Sequence, residues 1–150
     1  MLFQPSRLVY EVIGCAIAVH KEIGPGLLES AYDPCVVMEL RERGLRFERQ
    51  VPVPLTYRST HVECSYRVDF VIEGQLVVEL KSIERFIPLH TAQLITYLKL
   101  LGLQQGLLIN FNVPRLVDGV KSVLLTPGQG RQARVEPVTM PEEDLPETGL

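Results

Sequence analysis

The three cysteines of this 150-residue chain offer no disulfide framework. Cys15, Cys35 and Cys64 are odd in number and scattered through apolar stretches. That pattern favours buried thiols in a reducing, cytoplasmic setting over a disulfide scaffold. The chain also lacks ligand-like spacing among His20, His61 and His90, so neither cysteine nor histidine points to a zinc site. Membrane-length apolar runs are missing as well. The longest near the N-terminus, VIGCAIAV, is far too short to span a bilayer. It follows Glu11 rather than a basic segment, so a signal peptide is not expected. Internal repeats are absent.

A strong excess of one charge is lacking too. The net charge is −3, and the imbalance sits at one end. Residues 1–125 carry thirteen basic and thirteen acidic side chains, whereas residues 126–150 carry two and five. If several carboxylates gather in one site of a neutral body, basic residues remain in excess elsewhere. Such a surface is compatible with nucleic acid without demanding it.

What is present is ordinary globular material, with 46% hydrophobic and 22% charged residues, enough for one domain with a real core. Leu8, Val12, Ile13, Ala16, Ile17 and Val19 recur at helical spacing after Ser6, predicting an N-capped helix that ends at Gly24-Pro25-Gly26. A second helix is expected from about Leu27 to Arg43, stopped by Gly44. Pro34 should kink it or restart it.

From Phe47 the pattern turns to β. Pro52 and Pro54 suit an edge or irregular strand, and Arg58 to Thr60 a turn. HVECSYRVDFVI and LVVELKSI then form a hairpin around Glu73-Gly74-Gln75. Leu89 to Leu101 reads as a helix, and GLLINFN as a short buried strand reached by a right-handed parallel crossover. VPRLVDGVKSVLL could add an edge strand. The expected division is a folded unit over 1–125 and a loose Pro-, Gly- and acid-rich tail over 126–150.

The hairpin raises the functional question, because its greasy strands carry Asp69, Glu79 and Lys81. Charged groups are costly in a core unless paired or metal-bound. Side chains alternate along a strand, so Val68, Phe70 and Ile72 must share a face with Leu76, Val78 and Leu80. A three-residue loop achieves this by pairing Ile72 with Leu76, Phe70 with Val78, and Val68 with Leu80. The same register sets Asp69 opposite Glu79, with Lys81 two residues along. Facing carboxylates repel and raise each other's pKa unless a cation lies between them, and Mg2+ suits such oxygen donors. The competing reading is a surface ion pair on a solvated face.

Gly26-Leu-Leu-Glu29-Ser-Ala-Tyr32, Val-Glu79-Leu-Lys81, Ala-Gln93-Leu-Ile-Thr-Tyr97 and Leu-Ile-Asn-Phe-Asn-Val-Pro together resemble the GxxExxY proteins of the PD-(D/E)XK nuclease-like superfamily. The resemblance runs from about Leu8 to Leu125. It implies an α/β, restriction-endonuclease-like αβββαβ core with a mixed sheet, an extra N-terminal helix and the loose tail. It also implies that Asp69 and Glu79 are metal ligands for Mg2+ or Mn2+, with the Leu80 carbonyl and Glu29 adding to the set. By the same resemblance Lys81 orients the attacking water, and Gln93 is the glutamine of the following helix.

Gln93 and Tyr97, four apart on one helix, can both reach the polar face of the hairpin. An ordinary core tyrosine is the simpler account of Tyr97, and a dipole-complementing carboxylate that of Glu29. Arg67 and Arg85 are the candidate phosphate contacts. The expectation is therefore a metal-dependent nuclease acting on nucleic acid, with DNA the leading substrate and a partner protein supplying specificity. The alternative is a catalytically inactive nuclease-like fold serving as a nucleic-acid-binding or assembly module.

Overall fold

The computed structural model describes residues 6–126 and 133–140. Two helices come first, α1 (Arg7–Ile23) and α2 (Glu29–Glu42). The Ser6 side chain accepts from the Val9 N–H and caps α1, and Gly24, at φ 71°, ends it. Strands β1 (Phe47–Pro52), β2 (Leu55–Tyr57), β3 (Thr60–Val62), β4 (Arg67–Ile72) and β5 (Leu76–Lys81) follow. Then come α3 (Pro88–Leu101), β6 (Gln105–Asn110), a 3-10 turn (Leu116–Gly119), β7 (Val120–Leu125) and β8 (Ala133–Pro137).

Six strands make one mixed sheet in the order β1-β4-β5-β6-β7-β8, and β2 and β3 form a separate hairpin. The β5–α3–β6 unit is the parallel crossover, with the other pairings antiparallel. The sheet is sandwiched. Helices α1 and α2 cover Phe70, Ile72, Leu76, Val78, Leu80, Leu107 and Ile109. Helix α3 covers the opposite face, where Leu94, Tyr97 and Leu98 meet Val71, Val77, Leu108 and Val123. Neighbouring residues of β5 and β6 thus point into different cores, and both strands are apolar almost throughout. A Cβ on Gly106 would lie 2.9 Å from Leu94 Cδ2, so glycine is what lets α3 sit this close. No helix among the described residues is long and apolar enough to cross a membrane.

Four expectations are corrected. Pro34 does not restart α2, which runs on without interruption. Only the Ser30 carbonyl loses its helical donor, and Ser30 and Pro34 are both exposed, where solvent can satisfy that carbonyl. The tail is not loose over 133–140. Strand β8 pairs with β7 from Lys121–Pro137 to Leu125–Ala133, making β7 an interior strand, and Val138 and Met140 are buried. The rest of the expected tail lies outside the described residues.

The long return strand from His61 is broken, with residues 63–66 separating β3 from β4. Finally, only Cys15 of the three thiols is buried. Cys35 is half-buried, and Cys64 is exposed in that break between β3 and β4.

Candidate functional site

The hairpin has the register that its apolar alternation requires. Phe70 faces Val78, Val71 faces Val77 and Ile72 faces Leu76. Glu73 and Gly74 both turn through positive φ, and the Gln75 N–H closes the loop on the Ile72 carbonyl at 3.0 Å. One step further, Asp69 stands level with Glu79, and there the backbone ladder stops.

Side chains take over the bonding at that point. The Leu80 N–H donates to Asp69 Oδ2 at 2.7 Å, and the Asp69 N–H donates to Glu79 Oε1 at 2.7 Å. Side-chain carboxylates, not backbone carbonyls, accept these two N–H groups. This explains a further departure from the sequence reading: Val68 does not pair with Leu80. It joins the α3-side core with Val53, while Leu80 stays on the side of α1 and α2.

The site is electrostatically costly as it stands. Burial pushes the Glu79 carboxyl up to about 7, and the Asp69 charge adds to the rise. The Asp69 N–H and the Lys81 ammonium oppose it. Burial also raises Asp69, against the bonds from Leu80 and Gln50, and Glu29 and Asp33 raise it further. Tyr97 is raised by burial and then by the Glu79 charge, with the Gln93 side chain acting the other way. The Glu79 charge is thus felt at Tyr97, on the α3 side of the site.

Glu29 is brought in from α2. Its Oε1 accepts from the Ser82 N–H at 3.3 Å, and the Ser82 hydroxyl donates to the Leu27 carbonyl, so the start of α2 is tied to the end of β5. The loop before α2 is held by Tyr32, which is fully buried and stacked on Phe111 at 4.2 Å. Its hydroxyl donates to the Gly24 carbonyl at 2.7 Å and accepts from the Leu27 N–H at 3.2 Å. Gly26 supplies a φ of 97° in the same loop. Gly26, Glu29 and Tyr32 are thus one device that delivers a carboxylate to the strand end.

The far side of β5 is fastened by Asn110. Its side chain bonds both backbone groups of Ile83 and accepts from the Asn112 N–H, and the Phe111 N–H donates to the Lys81 carbonyl. Asn110 is buried, and the sequence analysis did not single it out. A lone polar residue within GLLINFN was the available signal.

Arg67 and Arg85 are both exposed, and Arg67 donates to the Gln50 carbonyl at 3.3 Å. His90 caps α3, its Nδ1 accepting from the Ile87 N–H. Next to Asp69 and Leu80 opens a cavity of about 450 Å³, also lined by Glu29, Ser30, Asp33, Pro34, Arg49 and Gln50. Asp33, Arg49 and Gln50 were not singled out in the sequence. Asp33 had a signal, four residues after Glu29 on one helix face. The other two had none.

The donors suit a hard divalent ion. They are all oxygen, and the raised pKa values of two carboxylates held together are what an intervening cation would reverse. Among the described residues no three His, Cys, Asp or Glu side chains group closely enough to cage an ion. The fit accordingly rests on the Asp69–Glu79 pair and nearby carbonyl oxygen, an arrangement that leaves coordination positions for water and phosphate.

A mixed sheet flanked by α1, α2 and α3, with an Asp, a Glu and a Lys where two central strands part, is a restriction-endonuclease-like fold. The family model of the PD-(D/E)XK nuclease superfamily matches residues 6–123, and the chain belongs to that superfamily. Nucleases of this superfamily generally use divalent metal ions. No curated protein and no solved structure gives a significant match.

Proposed function

We propose that the chain is a divalent-metal-dependent nuclease of the GxxExxY type that hydrolyses phosphodiester bonds, with DNA the leading substrate. The observation that carries this reading is the reciprocal bonding of Asp69 and Glu79 beside Lys81. Mg2+ or Mn2+ held by Asp69, Glu79 and the Leu80 carbonyl, with Glu29 lining the same cavity from α2, would polarise the scissile phosphate and acidify a water molecule.

The protein's own groups do the rest. Lys81, half-exposed beside Glu79, offsets the charge that grows on the phosphoryl oxygens and orients the attacking water. Gln93 and Tyr97 border the same spot from α3 and give it hydrogen-bonding groups on an otherwise apolar wall. Arg67 and Arg85 are assigned to flanking phosphates, with a partner protein supplying specificity. Water adds to phosphorus as the ester P–O bond breaks, and the departing oxygen leaves with a proton.

The test is cleavage of labelled single- and double-stranded DNA and RNA with Mg2+, Mn2+ or chelator. Wild type should cut only with metal, and Glu79→Ala and Lys81→Ala should lose most of that activity. Equal turnover by all three proteins contradicts the site. Metal-independent binding without cleavage favours a binding module instead.

A further inference from the structure

Resting on the nuclease reading above, we infer that Arg49 is a substrate-phosphate contact, held at the cavity beside Asp69 by Asp33. Four features lead there. Among the described residues, Arg49 is the one cation lining the cavity, against the carboxylates of Glu29, Asp33 and Asp69. Among these charged groups, the Arg49 guanidinium is what would attract an anionic chain entering that space.

Second, the ion pair is built to orient Arg49 more than to stabilise the fold. Arg49 Nη2 bonds Asp33 Oδ1, but Asp33 Oδ2 is buried and has no partner. A pair kept for stability would close both oxygens on the guanidinium fork, since an unmet buried acceptor is destabilising. Here one oxygen grips the guanidinium, and the Arg49 side chain remains 44% exposed with donors to spare.

Third, the backbone next to Arg49 is strained at the level of Asp69. Gln50 adopts φ 50°, a left-handed conformation uncommon for a residue other than glycine. The β1–β4 ladder pairs Arg49 with Phe70 and Val51 with Val68 but skips Gln50 and Asp69. Such strain tends to persist where surrounding structure requires it for function. Fourth, the skip leaves the Gln50 amide 3.4 Å from Asp69 Oδ1 and sets Arg49 on the cavity wall. Arg49, Gln50 and Asp69 thus form one continuous rim. A planar fork of donors there matches a phosphodiester anion.

The experiment is fluorescence anisotropy of the full chain with a labelled 20-nucleotide DNA probe, single-stranded and duplex, in Ca2+ over a range of salt. Arg49→Ala should weaken binding roughly tenfold, the scale of one lost charged hydrogen bond, and lower the salt slope by about one. Arg49→Lys should keep the slope and lose only part of the affinity. Asp33→Asn, which unpins Arg49 but also removes a negative charge, should change affinity by less than Arg49→Ala and leave the slope unchanged. Wild-type binding that Arg49→Ala leaves unchanged in affinity and slope overturns the assignment while the nuclease reading stands. A wild type that binds neither probe and cuts no nucleic acid overturns both.

Discussion

Asp69 and Glu79 are bound to each other's strand, each through one carboxylate oxygen on a backbone N–H of the other strand at 2.7 Å. The arrangement puts two acids at the mouth of a fork between β4 and β5, where burial raises both and the Asp69 charge raises Glu79 further. It replaces ladder bonds with a feature whose cost makes sense if a cation completes it.

Stability should carry the mark of that cost. Glu79 titrates at about 7 when folded, against an ordinary 4.5. The folded chain therefore holds this proton more tightly than the unfolded one. Its contribution to stability is fully present below about pH 4.5 and is lost as pH rises to 7 and beyond. The loss is about 3 kcal/mol at most. Urea unfolding in chelator should show the wild type losing stability from pH 5 to pH 8 relative to Glu79→Gln. Parallel profiles for the two proteins would contradict the raised pKa.

Lys81 can be separated from folding because its side chain is half-exposed. Lys81→Ala should lower kcat by a factor on the order of 10²–10³ with little change in melting temperature. A loss of kcat/KM that came wholly from a raised KM would make Lys81 a binding residue only.

Tyr32 gives a prediction of the opposite kind. Tyr32→Phe keeps the stack on Phe111 but strips the Gly24 carbonyl and the Leu27 N–H of their partner. It should cost about 1–3 kcal/mol in denaturant unfolding and reduce cleavage through a loosened Glu29. Unchanged stability would mean that the loop before α2 does not depend on the hydroxyl.

Much of this could be read from the chain because packing alone dictates it. A three-residue loop buries Phe70, Ile72, Leu76 and Val78 together, and that loop brings Asp69 to Glu79. What escaped had no local code. The left-handed φ of Gln50 is set by the skipped rung of β1, and nothing in FERQVP announces it. Strand β8 has too little alternation to stand out, with Ala133, Val135 and Pro137 gaining their role from β7 alongside. Pro34 misled because a helix-breaking residue is tolerated where the carbonyl it orphans faces solvent.

The central claim is that Asp69 and Glu79 hold a divalent ion. Titrating Mg2+ and Mn2+ into the chelator-treated protein while following its melting temperature tests this most directly. Wild type should melt higher as the ion saturates, by an amount that grows with its concentration above Kd. Asp69→Asn should lose the shift. A wild-type melting temperature indifferent to both ions, or an equal shift in Asp69→Asn, would contradict the account.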